Sequence, residues 1–172
     1  MAQTHLGPEP VNTNGDLPAI GSMAPGFTLT GNDLKEVSLK SFSGKNVILN
    51  IFPSIDTRVC AMSVREFNKR AASLNDTIVL CISKDLPFAM RRFCGAEGID
   101  KVVTLSDFRN KEFTKSYGVE MLDGGMAGLL ARAIVVIDKK GNVKYNELVP
   151  VIGQEPNYDA ALSAIQGTIV QD

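Results

Sequence analysis

The residue best placed for chemistry is Cys60. It closes the segment Pro53-Ser54-Ile55-Asp56-Thr57-Arg58-Val59-Cys60, where a buried apolar run gives way to an amphipathic one. A cysteine in the first turn of a helix lies near unpaired backbone N–H groups and the positive end of the macrodipole. Both favour the thiolate, the reactive form of the side chain. Arg58, Arg65 and Arg132 are the cations that the fold could bring to it. The competing reading is a small apolar residue packed at a helix start, because free cysteine is among the most buried residue types.

The inventory narrows the mechanism. His5 is the only histidine, and it falls in a segment that reads as irregular, mobile surface. A Cys-His or Ser-His pair therefore has a single, badly placed base. A closed zinc site would need Cys60, Cys81, Cys94 and His5 together, at spacings that match no common pattern. No metal, haem or flavin is implied. Gly124, Gly125 and Gly128 form no phosphate loop, since no Lys-Ser/Thr follows them.

The elements that must position Cys60 follow from periodicity. Phe27–Leu29 and Val37–Leu39 read as edge strands or a hairpin. Asn46–Phe52 (NVILNIF) is a buried central strand ended by Pro53, and Cys60–Leu74 is a helix with apolar residues at Val64, Phe67, Ala71 and Leu74. Thr77–Ser83 is a second buried strand, which would leave Cys81 inert, and Pro87 opens a helix that ends near Gly95 and Gly98. Lys101–Leu105 is a third strand, followed by a short helix from Asn110 to Tyr117 and a glycine-rich loop from Met121 to Gly128. Arg132–Asp138 and Val143–Leu148 form a hairpin, and a last helix runs through Tyr158, Leu162 and Ile165. Strands alternating with helices imply a parallel sheet covered on both faces, made mixed by the closing hairpin. This is the element order of an elaborated thioredoxin fold in the α/β class. A single domain is expected over 1–172, with 1–16 as an N-terminal extension or β-hairpin.

The chain has 172 residues, enough for a core that needs no staples. Its 18 Lys and Arg against 19 Asp and Glu leave a net charge of -1, which gives no support for a nucleic acid or an anionic membrane as partner. Apolar stretches such as Val47–Phe52 and Ala133–Ile137 are too short to span a bilayer. Met1–Asp16 has neither a basic nor an apolar signal region, so a cytoplasmic location is expected. Three cysteines fit reactive thiols better than a disulfide scaffold.

The pattern P-x-x-x-T-x-x-C of Pro53, Thr57 and Cys60 resembles the peroxidatic motif of peroxiredoxins. NIFPSIDTRVCAMSVREFN, VLCISKDLPFAMRRFCGAEG, TLSDFRN and LLARAIVVID resemble the bacterial thiol peroxidase subfamily, in order and spacing, from about Leu17 to Ile165. The resemblance implies that Cys60 attacks the peroxide, that Thr57 contacts it, and that Pro53 shields the thiolate. It implies that Arg132 binds substrate and thiolate, and that Cys94 is the resolving cysteine. It further implies hydrogen peroxide and alkyl or lipid hydroperoxides as substrates, thioredoxin as reductant, and a homodimer. The apolar cluster Met121, Leu122, Met126, Leu129 and Leu130 is either core or a surface for an alkyl chain or a partner. Arg58 departs from the expected glycine of DTGVC, which raises the question of whether that position needs a positive φ. If Cys60 and Cys94 both begin in helices, local unwinding must accompany their joining, since a disulfide needs Cα atoms about 4.4–6.8 Å apart. Two rivals stand beside the peroxidase. One is a general disulfide oxidoreductase, disfavoured because Thr57 occupies the place of the first cysteine of C-x-x-C. The other is a non-enzymatic redox sensor.

Overall fold

A computed structural model of the protein describes residues 2–109 and 111–170, with residues 166–170 as backbone only. The N-terminal extension is a hairpin of β1 (Gln3–Leu6) and β2 (Glu9–Asn12), paired from Gln3↔Asn12 to Leu6↔Glu9. Gly7, at φ 60°, takes the first position of its two-residue turn, where left-handed backbone matches the twist of the strands. His5 therefore lies in a strand and is half-buried, not in a mobile irregular segment. The backbone of β1 docks on the segment after the last strand: the Ile152 N–H donates to the His5 carbonyl at 2.8 Å.

The main sheet has seven strands in the order β4-β3-β7-β6-β5-β8-β9. Its centre is parallel: β5 (Asn46–Ile51), β6 (Thr77–Ser83) and β7 (Val103–Ser106). On one side β3 (Thr28–Thr30) and β4 (Glu36–Ser38) add an antiparallel pair. On the other, β8 (Ala133–Ile137) and β9 (Val143–Leu148) add the expected hairpin, with β8 antiparallel to β5.

Strand alternation sorts the core into two faces. Val47, Leu49 and Ile51 join Phe27, Phe113 and Tyr117 beneath the short helix α3 (Glu112–Tyr117). Ile48 and Phe52 join Val64, Phe67, Met90 and Ala161 beneath α1 (Arg58–Ala71), α2 (Pro87–Glu97) and α4 (Tyr158–Val170). Asn110, the expected start of α3, lies outside the described residues. Gly98 and Gly118 close α2 and α3 in the left-handed conformation, as their position after each helix requires. Among the described residues, no helix is long and apolar enough to cross a membrane.

Candidate active site

The parallel strands end on one edge, the usual location of sites in open α/β sheets. There β5 passes into the loop that precedes α1. Thr57 holds the N-cap position with extended backbone, φ -97° and ψ 149°. The helix thus begins at Arg58, two residues before its expected start, and Cys60 is its third residue. The first intrahelical bond runs from the Ala61 N–H to the Thr57 carbonyl at 3.0 Å. The N–H groups of Arg58, Val59 and Cys60 precede that bond and point toward the loop end of the helix. No acidic residue sits in this first turn, so the positive end of the helix is not neutralised from within.

Arg132 reaches Cys60 because of strand register. Ile51 pairs with Ala133, so Arg132 falls beside the Phe52–Pro53 turn. Its side chain is 2% exposed. One guanidinium N–H, at Nη2, donates to Cys60 Sγ at 3.2 Å, and Nε donates to the Ile152 carbonyl at 2.7 Å. Nη1 is buried with no hydrogen-bond partner among the described residues. A buried, unpaired cationic donor is costly, and Arg132 lines a small pocket. That pocket, about 160 Å³, is lined by the polar residues Thr57, Arg58 and Arg132 and by Leu6, Pro53, Val59, Met126, Ile152 and Gly153. The Thr57 hydroxyl donates to the Ser54 carbonyl at 3.0 Å, leaving its oxygen as an acceptor at the pocket. Pro53 is buried beside it.

Four of the five candidate residues, Pro53, Thr57, Cys60 and Arg132, therefore converge on one point. The fifth, Cys94, lies in α2 and is half-buried, and its side chain packs on the same apolar cluster as Cys60. Both thiols are free. Burial pushes the Cys94 thiol above its ordinary value, against a smaller opposing hydrogen bond with Thr104. Cys81 is fully buried in β6, and burial pushes it up to about 12.

Arg58 is exposed at the first helical position and has no positive φ. The concern that an arginine would strain this position is thus removed, because helical backbone suits any residue. The apolar cluster divides: Leu130 enters the main core, Met121 packs with Val11 and Ile152, Met126 lines the pocket, and Leu122 is exposed. Two participants escaped sequence reasoning: the Ile152 carbonyl, which anchors Arg132, and Leu6, which lines the pocket.

The Redoxin family matches residues 19–162. The thiol peroxidases of Mycobacterium tuberculosis and Mycobacterium bovis are each 62% identical over 165 residues, covering 96% of this chain and 99% of theirs. A peroxiredoxin-like protein from Aquifex aeolicus superposes with a TM-score of 0.91 at 35% identity, over 97% of both chains. A thiol peroxidase from Chromobacterium violaceum has the same fold, with a TM-score of 0.90 at 24% identity over 99% of this chain and 98% of its own. A cysteine at a helix start under a buried arginine is the arrangement such an enzyme needs, and by these similarities the chain belongs to the redoxin family, among its thiol peroxidases.

Proposed function

We propose that Cys60 is the peroxidatic thiol of this thiol-dependent peroxidase, that Cys94 resolves it, and that a thioredoxin-like dithiol protein completes the cycle. The carrying observation is Arg132, with one donor on Cys60 Sγ at 3.2 Å and a second buried donor unpaired. A hydroperoxide in the pocket gives that second donor an acceptor. Its terminal O–H donates to the Thr57 hydroxyl oxygen, whose own proton is committed to Ser54. The two contacts hold the O–O bond in line with sulfur.

The Cys60 thiolate attacks the terminal oxygen, the O–O bond breaks, and the leaving alkoxide takes a proton from solvent. Sulfur is oxidised to the sulfenic acid and the peroxide is reduced to the alcohol, or to water for hydrogen peroxide. Arg132 and the helix N–H groups stabilise the charge that moves between the oxygens. The Cys94 thiol then displaces hydroxide from the sulfenic sulfur, giving a Cys60–Cys94 disulfide and water. Two electrons and two protons from the external dithiol restore both thiols. Each cysteine sits inside an intact helix, so resolution includes local unwinding.

The apolar wall of Leu6, Met126 and Ile152 suits alkyl and lipid hydroperoxides as well as hydrogen peroxide. Exposed Leu86 and Phe88, at the start of α2, and Phe108, just past β7, suit contact with a second copy, hence a homodimer. Three free thiols suit the reducing cytoplasm. The test is thioredoxin-coupled consumption of cumene hydroperoxide and hydrogen peroxide. Cys60→Ser should abolish turnover. Cys94→Ser should keep a single stoichiometric oxidation and lose the thioredoxin-supported cycle. Full activity in Cys60→Ser would remove the assignment.

A further inference from the structure

Asp85 lies between the two cysteine-bearing segments, two residues after β6 and two before α2. Its carboxylate accepts three hydrogen bonds. Ser54 Oγ donates to Oδ1 at 2.8 Å, the Ile55 N–H donates to Oδ2 at 2.7 Å, and Ser83 Oγ donates to Oδ2 at 2.6 Å. The Asp85 N–H returns a bond to Ser83 Oγ at 3.2 Å, and Ser106 Oγ, at the end of β7, donates to the Asp85 carbonyl. One residue thus joins the ends of three parallel strands. Two of its bonds fall on Ser54 and Ile55, in the loop between Pro53 and Thr57. Ser54 in turn accepts from the Asp56 N–H at 3.2 Å, and its carbonyl holds the Thr57 hydroxyl.

We propose that Asp85 is a positioning residue, a clasp that holds the loop before Cys60 against the start of the helix carrying Cys94. The inference rests on the roles given above to those two cysteines. Closed, the clasp sets Thr57 and the first turn of α1 for peroxide attack. Released, it lets that turn unwind so that the sulfenic sulfur can meet Cys94. Bonds to a half-buried carboxylate are stronger than neutral ones. The ion pairs between these segments are weaker: Arg92–Asp56 at 4.0 Å and Arg65–Glu97 at 2.7 Å are both solvent-exposed. Asp85 therefore sets the balance between oxidation, which needs the loop folded, and resolution, which needs it open.

The variants Asp85→Asn and Ser54→Ala separate this role from general support. Ser54→Ala removes one of the three bonds to the carboxylate together with the Asp56 N–H contact, spares Ile55, and serves alone if Asp85→Asn fails to fold. In the reduced protein, amide exchange across residues 54–60 should quicken about tenfold or more in Asp85→Asn, and less in Ser54→Ala. Rapid quench with thiol alkylation and mass spectrometry, using cumene hydroperoxide, should show sulfenic acid formation slowed and disulfide formation accelerated. Opposite movement of the two steps is what a merely structural residue would not produce. Unchanged exchange, or both steps falling together, overturns the clasp. The exchange measurement requires no turnover, so it stands even if Cys60→Ser shows that the cysteine assignments are wrong.

Discussion

Arg132 places one donor on the Ile152 anchor and one on the Cys60 sulfur, and a third is buried with no partner among the described residues. That division depends on the planar fork of a guanidinium, which a lysine ammonium cannot reproduce. Arg132→Lys keeps a positive charge near Cys60 but loses the simultaneous bonds to Ile152 and Cys60, and with them the contact proposed for the peroxide. The rate of Cys60 oxidation should fall about 10²–10³-fold, the usual cost of one preorganised donor, when followed by rapid quench at fixed peroxide. A loss below about tenfold would mean that charge alone suffices. Arg58 makes a finer test. It is exposed, lines the pocket, and has no conformational reason to be an arginine. Arg58→Gly should leave oxidation by neutral cumene hydroperoxide within about twofold. It should slow oxidation by an anionic fatty-acid hydroperoxide severalfold at low salt, and the difference should shrink as salt is added. Equal effects on both substrates would remove charge recognition from this side chain.

At the scale of elements, the central strands and α1 were legible because their signals are local: a β-branched run, a proline stop, then apolar residues every three or four positions. The convergence of Arg132 on Cys60 was not legible from periodicity. It depends on β8 lying antiparallel to β5 with Ile51 opposite Ala133, and only the family motif foretold the pair. The N-terminal extension was legible as a β-hairpin, but its work was not, because that work depends on contacts more than a hundred residues away. The buried Thr4 hydroxyl, 0% exposed, donates to the Val149 and Pro150 carbonyls at 2.8 and 3.1 Å. Those bonds seat the segment after β9 that carries the Arg132 anchor, Ile152. Thr4→Val, close in shape, should cost about 1–3 kcal/mol of stability by leaving buried groups unpaired, and should slow Cys60 oxidation although the valine touches no substrate. Chemical denaturation and rapid quench on the same samples would check both effects. Helix α2 sets a second expectation. Burial holds Cys94 as a thiol at neutral pH, so disulfide formation should quicken as pH rises from 7 to 9, by at most about tenfold for each pH unit. The chain has no tryptophan, so the step is best read by mass rather than by fluorescence. A flat profile would place opening of the clasp, rather than thiol ionisation, in control.

At the scale of the whole molecule, the edge that gathers the site also carries an electrostatic burden. Asp107 follows β7 and is buried at 1% exposure, and neither carboxylate oxygen has a hydrogen-bond partner among the described residues. Burial, foremost, pushes its pKa up to about 7; Lys84, with Nζ at 3.7 Å, pulls it down, and the charge of Glu120 pushes it further up. In the unfolded chain an aspartate titrates near its ordinary value, about 3.9. Between roughly pH 4 and 7 the folded state therefore binds more protons than the unfolded one, and stability falls as pH rises through that window, levelling above it. A displacement of that size corresponds to at most about 4 kcal/mol. Asp107→Asn removes the titration and keeps the shape. Its melting temperature should match wild type near pH 4 and exceed it by roughly 5 °C or more at pH 8, read by circular dichroism across the range. An offset that does not change with pH would show that Lys84 compensates the buried charge in full. A rising advantage would show instead that stability at this edge is sacrificed above neutrality, beside the loop that opens in the cycle proposed for Cys60 and Cys94.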